Sequence, residues 1–177
     1  MPIEISDGPR ADLIFSFEPP FVPDLFDDDK THGMGHVAMK RVDFIATSPD
    51  ETWLIEVKDP ENRIIPPTQT VAQRASFRKK MKSGTLYSRE LAPKFKDTLI
   101  YLALANRAPA REIRYIVFIG LAKLGAAMLL TAQNRLRQLC FLPGPFQGNW
   151  ASNFDVIVLN MAAWNRKLAP HSVRRKP

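Results

Sequence analysis

The chain has 177 residues, of which 45% are hydrophobic and 24% charged. This composition is that of one ordinary globular domain, and it excludes a disordered, collagen-like or coiled-coil chain. The net charge of +7 is unevenly distributed, because residues 1–62 carry 14 of the 18 acidic residues and only 5 of the 25 basic ones. The basic remainder predicts a polyanionic partner if its side chains converge on one face, and otherwise a solvated basic surface.

The cysteine content and the apolar segments indicate the cellular compartment of the protein. Cys140 is the single cysteine and cannot form an internal disulfide, which indicates a reducing, cytoplasmic compartment. The acidic N-terminus lacks the cationic start and apolar run of a signal peptide. The most apolar stretch, residues 115–132, contains Lys123 and two glycines, and predicts a strand and a helix rather than a membrane span. We therefore expect an intracellular protein with no membrane partner.

The first third of the chain predicts strands and a long loop. Residues 11–18 alternate in polarity and predict a strand, and the proline-rich and glycine-rich residues 19–36 predict a loop. Residues 37–47 and 52–58 predict two further strands. The turn-forming residues 48–51 between them indicate a β-hairpin.

The remainder alternates between predicted helices and strands. Residues 68–82 contain neither glycine nor proline and predict a short exposed helix. Residues 88–105 have the spacing of an amphipathic helix, with Ser88 as its cap. A near-continuous apolar run at 111–121 predicts a central strand buried on both faces. A helix at 126–140 and a strand at 154–161 follow.

The order of these elements predicts the fold class and the domain organisation. Strands, helix, strand, helix and strand in this order indicate one α/β domain, residues 1–168, with a mixed central β-sheet flanked by helices. Residues 169–177, which include the basic run Arg174-Arg175-Lys176, are predicted to be a basic C-terminal tail.

Charged residues inside the predicted hairpin indicate a chemical site. Side chains alternate across a strand, so Glu56 and Lys58 point to one face, and Asp43 interrupts the apolar pattern of the neighbouring strand. Burying such charges costs several kcal/mol unless they are paired or bind a metal. Magnesium prefers oxygen ligands and needs only one or two carboxylates in addition to a substrate phosphate. The cluster therefore predicts Mg²⁺, or Mn²⁺, at a site of phosphodiester hydrolysis.

This pattern resembles the PD-(D/E)xK nuclease superfamily, whose members have the restriction-endonuclease-like fold. The resemblance consists of Asp43 on one strand, twelve intervening residues, and Glu56-Val57-Lys58 on the next. It implies that Asp43 and Glu56 bind the metal, that the backbone carbonyl of Val57 adds a ligand, and that Lys58 positions the attacking water. The resemblance implies a DNA nuclease, which we expect to be an endonuclease that leaves a 5′-phosphate and a 3′-hydroxyl.

Two further features of that superfamily, an additional acidic ligand and a motif on the following helix, have possible counterparts in this sequence. Many members carry one more acidic ligand before the hairpin, and here Glu18 is the first candidate, followed by Glu4 and Asp12. Exonuclease branches carry Gln-x-x-x-Tyr on the following helix, where this chain has Asp97 and Tyr101 one helical turn apart. These two residues are therefore candidate accessory residues.

Basic residues after the hairpin are the candidates for binding the nucleic-acid backbone, and DNA is expected rather than RNA. They are Arg74, Arg78, Lys79, Lys80, Lys82, Lys94 and Lys96. Because a separate recognition domain does not fit in this length, specificity is expected to come from DNA structure, from a homodimer or from a partner protein.

Two alternatives remain open. The first is a catalytically inactive nucleic-acid-binding module on the same fold, in which Lys58 forms a structural ion pair with Glu56 or Asp43. The second is an assembly or regulatory subunit of a larger defence, mobile-element or repair complex, whose basic face binds an acidic protein.

Overall fold

Two β-sheets and their helices make up the part of the chain that the structure describes. The computed structural model describes residues 1–8, 11–28, 39–107, 109, 112–140 and 153–177. The strands are β1 (Ile3–Ile5), β2 (Leu13–Phe17), β3 (Val22–Leu25), β4 (Phe44–Thr47), β5 (Glu51–Lys58), β6 (Glu112–Ile119), β7 (Asn153–Leu159) and β8 (Ser172–Arg175). The α-helices are α1 (Pro67–Ser83), α2 (Ala92–Leu104), α3 (Ala126–Leu139) and α4 (Met161–Lys167), and a π-helical segment, Leu86–Leu91, leads into α2. None of these helices is long and apolar enough to cross a membrane.

The larger sheet has the strand order β3-β4-β5-β6-β7. Strands β3, β4 and β5 pair antiparallel, whereas β5, β6 and β7 pair parallel. Helices α1 and α2 connect β5 to β6, and α3 connects β6 to β7, as parallel neighbours require. The predicted hairpin is confirmed, with Phe44 opposite Ile55. The α/β class and the mixed sheet flanked by helices are confirmed as well.

The smaller sheet covers one face of the larger one. Its order is β1-β2-β8, and both pairings are antiparallel. Phe15 of β2 is fully buried, and its ring centroid lies 5.4 Å from that of Phe44, 5.3 Å from that of Phe118 and 5.1 Å from that of Trp164. These aromatic contacts join β2, β4, β6 and α4 into one core. The opposite face of the larger sheet carries α2, the π-helical segment and the candidate site.

The predicted basic tail, residues 169–177, is instead part of the fold. Residues 172–175 form β8, which pairs with β2. The guanidinium of Arg175 lies 2.7 Å from Asp12 and 2.9 Å from Asp59. The basic composition predicts a solvated end. The side chain of Arg175 is instead largely buried, because the carboxylates of Asp12 and Asp59, distant in sequence, form ion pairs with it.

Several other boundaries differ from the sequence prediction. Strand β3 lies within the predicted loop. Its Pro23 is tolerated because β3 is an edge strand of the larger sheet. The predicted strand 37–47 is a strand only from Phe44, and its residues 37–38 lie outside the described residues. The helix predicted from Ser88 begins earlier, at Leu86, as a π-helical segment. Residues 29–36 of the predicted loop and residue 111 of the predicted strand also lie outside the described residues.

A glycine at the end of β6 allows the close approach of the chain that follows Lys58. The backbone N–H of Gly120 donates to the carbonyl of Lys58 at 2.8 Å. A Cβ atom added at Gly120 would lie 2.2 Å from Asp59 Oδ1 and 3.2 Å from Asp59 Cα. Since Arg175 holds the Asp59 carboxylate, that side chain is not free to move away. The arrangement fixes the backbone at the open end of β5.

We expect Gly120→Ala to lower the free energy of unfolding by about 1–3 kcal/mol, because the added methyl group overpacks this contact. Urea unfolding measures the effect. Gly125→Ala is the matched control, because a Cβ at Gly125 meets nothing within 4 Å, and its cost is expected to stay below about 1 kcal/mol. Equal effects of the two substitutions would contradict the proposed packing.

Candidate functional site

The backbone places Asp43 beside the end of the hairpin. Strand β5 continues past the end of β4, and the side chain of Asp43 replaces the missing strand partner there. The backbone N–H of Val57 donates to Asp43 Oδ2 at 2.6 Å. The carbonyl of Asp43 in turn accepts the N–H of Phe26 at 2.8 Å. The carboxylate is therefore held at a fixed position while its Oδ1 atom remains directed toward the site.

Glu56 and Lys58 lie on the same face of β5, as their spacing predicts. Glu56 is 0% exposed, and its Oε1 atom lies 2.7 Å from the Nζ atom of Lys58. Lys58 is the last residue of β5, and its side chain is 25% exposed. Trp53 points to the opposite face and packs against Phe21, with 4.2 Å between ring centroids. The site is thus buried at the carboxylates and open at the lysine.

Lys94 of α2 bridges the two carboxylates. Its Nζ atom lies 2.8 Å from Glu56 Oε2 and 3.1 Å from Asp43 Oδ1. The sequence predicts phosphate contacts for Lys94 and Lys96, but the structure places Lys94 inside the site. Lys94 lies on α2 beside the buried Phe95 and one turn before the buried Thr98, and the helical pattern does not distinguish it from a surface lysine.

The electrostatics of the cluster follow from its burial. Burial, together with the nearby Asp43 carboxylate, raises the pKa of Glu56 to about 8, although Lys94 and Lys58 act in the opposite direction. Burial alone would lower the pKa of Lys94, but the carboxylates of Glu56 and Asp43 outweigh it and raise the pKa above its ordinary value. We therefore treat Lys94 as an ammonium group that offsets the cost of burying the carboxylates.

Helix α2 holds the segment that leads into Asp43. The side-chain hydroxyl of Thr98 accepts the N–H of Val42 at 3.1 Å, and the carboxylate of Asp97 accepts the N–H of Lys40 at 2.9 Å. Tyr101 packs edge-on against Phe26, with 5.3 Å between ring centroids. Asp97 thus holds the segment before Asp43, and Tyr101 packs against Phe26, whose N–H donates to the Asp43 carbonyl.

Asp7 and Glu18 differ in their relation to the cluster. Burial, together with the Asp43 carboxylate, raises the pKa of Asp7 to about 6. Glu18 is not brought there, because its N–H donates to His171 Nδ1 at 3.0 Å, and His171 packs against Trp53 on the opposite face of the sheet.

The other two acids considered at this position have partners elsewhere. Glu4 pairs with Arg174 at 3.2 Å, and Asp12 pairs with Arg175. The local sequence around Asp7 contains only a turn signal, Asp7-Gly8, in which Gly8 has a φ of 79°. Nothing in that pattern connects Asp7 to a strand that follows more than thirty residues later.

The basic run predicted to contact nucleic acid lies on α1. Arg74 and Lys80 have ion-pair partners, Glu61 at 3.9 Å and Glu90 at 2.7 Å. Lys80 and Lys58 line the same groove of about 260 Å³, so α1 borders the open end of the site. The members of the run on this helix are Arg74, Arg78, Lys79, Lys80 and Lys82.

The donor set can be compared with the needs of a divalent cation. The described residues contain no group of three or more His, Cys, Asp or Glu side chains arranged to hold a metal. Asp43 and Glu56 nevertheless present two carboxylates to one point, which already attracts the ammonium of Lys94. Both oxygens of Glu56 are buried without an aligned hydrogen-bond donor in the described part of the chain. Two carboxylates fit Mg²⁺, which keeps several waters, provided that Lys94 leaves the point between them.

Comparison with protein families, with curated proteins and with solved structures finds no match to this chain.

The hydrogen bond from Val42 to Thr98 gives a direct test of how Asp43 is positioned. Thr98→Val is expected to lower the free energy of unfolding by about 1–3 kcal/mol, because it leaves the buried N–H of Val42 without an acceptor. Thr131→Val on the exposed side of α3 is the matched control, and we expect it to change stability by less than about 0.5 kcal/mol. Urea unfolding of both variants measures this, and equal losses would argue against a role for Thr98.

Proposed function

We propose that this protein is a metal-dependent DNA nuclease, an endonuclease of the restriction-endonuclease-like fold. The observation that carries the proposal is the convergence of Asp43, Glu56 and Lys58 at one end of the β4–β5 hairpin. Their strand order, spacing and shared face agree with the resemblance to the PD-(D/E)xK superfamily. An antiparallel hairpin followed by parallel strands with helical connections also agrees with that resemblance.

The proposed catalytic roles follow from burial and position. Asp43 and Glu56 would hold the Mg²⁺ or Mn²⁺ ion, with the Val57 carbonyl as a further ligand. The bound metal supplies Lewis-acid polarisation of the phosphoryl group and acidification of a water molecule. Lys58 lies at the open end of the strand, where its ammonium orients the attacking water and offsets negative charge on the phosphate.

The position of α1 supports a role in holding the substrate. Lys80 of this helix lines the groove that contains Lys58, so a DNA backbone bound along α1 would pass the site. Arg78, Lys79 and Lys82 have no ion-pair partner among the described residues, which leaves their charges available for phosphates. Binding through these residues is sequence-independent and depends strongly on salt concentration.

A second candidate function is a catalytically inactive nucleic-acid-binding or assembly subunit on the same fold. The observation that favours it is that the ammonium groups of Lys58 and Lys94 already lie within 3.1 Å of carboxyl oxygens of Glu56 and Asp43. Ammonium groups at these positions offset the burial of the carboxyl groups without a metal. In this case Lys58 has a structural role as the partner of Glu56.

Cleavage assays distinguish the two candidates. In Mg²⁺ or Mn²⁺ we expect the native protein to cut DNA from a panel of linear, supercoiled, single-stranded and branched substrates. Lys58→Ala and Asp43→Ala are each expected to reduce the rate by about a hundredfold or more, because they remove charge at the reacting phosphate or its metal. Lys167→Ala, at an exposed lysine of α4, is the control and should cut like the native protein.

Absence of cleavage would favour the inactive subunit. If no protein of this set cuts any substrate while all of them bind DNA equally well, the nuclease proposal fails and the inactive subunit becomes the better description.

Metal binding can be measured separately from cleavage. Because a ligand that binds the folded state stabilises it, Mn²⁺ should raise the unfolding midpoint above its value in EDTA. Asp43→Asn should abolish this shift. Lys94→Met should enlarge it, because the metal no longer has to displace an ammonium from between the carboxylates, and Lys79→Met should leave it unchanged. Absence of a shift in both the native protein and Lys94→Met would contradict a metal site.

A further inference from the structure

A cavity between α1 and α3 lies close to the candidate site and is not used by it. Its volume is about 680 Å³, within the range of about 300–1,000 Å³ that is usual for small-molecule sites. Its walls come from α1, the π-helical segment, the connection after β6, and α3.

Four basic side chains surround this cavity, and none of the described residues that line it is acidic. They are Arg78, Lys82, Lys123 and Arg135. Among the described residues none of the four has a carboxylate at ion-pair distance, whereas Arg74 and Lys80 of the same α1 helix do. This unbalanced positive charge favours an occupant that carries negative charge.

The walls between these cations are apolar and include an aromatic ring. Met81, Leu121 and Leu124 are buried at the base of the cavity, and Met128 is 52% exposed. The guanidinium of Arg135 lies 5.9 Å from the centroid of the Tyr87 ring. An anion with no apolar part would leave these walls unused, so the occupant is expected to carry a flat or apolar group as well.

The cavity and the groove of Lys58 lie on two sides of the same helix, α1. Its residue Leu121 follows Gly120, whose N–H is bonded to the carbonyl of Lys58. Helix α1 contributes Phe77 and Lys80 to the groove of Lys58, and Arg78 and Lys82 to the cavity. One helix therefore separates the cavity from the groove, and a strand would have to cross α1 to reach both.

We infer that this cavity binds an unstacked nucleotide of the nucleic-acid strand that passes Lys58. The basic side chains contact its phosphates, and the apolar wall receives its base. The inference rests on the proposed function and makes it more specific, because a base can enter the cavity only from single-stranded or locally unpaired nucleic acid. The protein accordingly prefers such substrates to continuous duplex.

Binding without metal tests the inference independently of cleavage. Fluorescence anisotropy in EDTA compares a labelled single-stranded oligothymidylate, an abasic strand of the same length, and a duplex. The native protein is expected to bind oligothymidylate about tenfold more tightly than the abasic strand, because only the former has bases to place on the apolar wall. The double substitution Lys123→Ala/Arg135→Ala should weaken oligothymidylate binding by about tenfold or more.

Two controls separate this site from general electrostatics. Arg166→Ala/Lys167→Ala removes the same charge from exposed positions of α4 and should leave oligothymidylate binding within about twofold. Met128→Gln keeps every charge but makes the wall polar, and should reduce the preference for oligothymidylate over the abasic strand. Equal binding of these two strands by the native protein, or equal losses in the two double variants, would overturn the inference.

The outcomes also distinguish this inference from the proposed function. If the native protein cuts DNA but both double variants bind single strands equally well, the inference fails while the nuclease proposal stands. If an acidic peptide containing tryptophan binds the native protein at Lys123 and Arg135 and the oligonucleotides do not bind, the cavity is a protein-binding site and the inference is overturned.

Discussion

The structure of the site depends on one fully buried carboxylate, that of Glu56, in the centre of the larger sheet. A buried charge without a partner costs several kcal/mol, so every element around Glu56 must provide compensation. Lys58 provides it from the same strand, at 2.7 Å, and Lys94 provides it from α2, at 2.8 Å. Burial already raises the pKa of Glu56, and both lysines lower it. Removing either ammonium group would therefore raise this pKa further. This requirement ties the position of α2 to the end of β5.

The same constraint explains why α2 makes so many polar contacts with the chain near Asp43. Lys94 can bridge Glu56 and Asp43 only if the helix and the hairpin keep a fixed distance from each other. Thr98 and Asp97 hold that distance through the backbone N–H groups of Val42 and Lys40. On the other side of the site, Gly120 and the buried carboxylate of Asp59 fix the chain immediately after Lys58. The side chain of Lys58 thus extends from a backbone segment that is held in place by these contacts.

The sequence predicts the parts of this arrangement that depend on local pattern. Alternation along β5 places Glu56 and Lys58 on one face, and the turn residues before β5 predict the hairpin that brings Asp43 close. Contacts between distant segments leave no such pattern. Lys94 looks like an ordinary surface lysine of an amphipathic helix. Asp7 looks like part of a turn, and the effect of Asp43 on its pKa depends on how β1 packs against the larger sheet.

The C-terminal strand β8 also depends on contacts with residues that are distant in sequence. Arg175 belongs to a run of basic residues that is typical of a solvated tail, and its burial depends on Asp12 and Asp59. Neither carboxylate is near it in the chain. Short edge strands such as β3 and β8 are four residues long and have weak sequence signals, so pairing with a neighbour rather than propensity determines them.

The division of charge along the chain is explained in part by these long-range pairs. Acidic residues of the first 62 positions pair with basic residues of the remainder in Glu4–Arg174, Asp12–Arg175, Asp24–Arg107, Asp43–Lys94, Glu51–Arg114, Glu56–Lys94, Asp59–Arg175 and Glu61–Arg74. Much of the asymmetry is therefore complementarity within the fold, where the exposed pairs add little stability and the buried ones position the chain. The basic residues that matter for a polyanionic partner are the ones left over. Those of α1 lie on the helix that borders the groove of Lys58, which is why we place the substrate there.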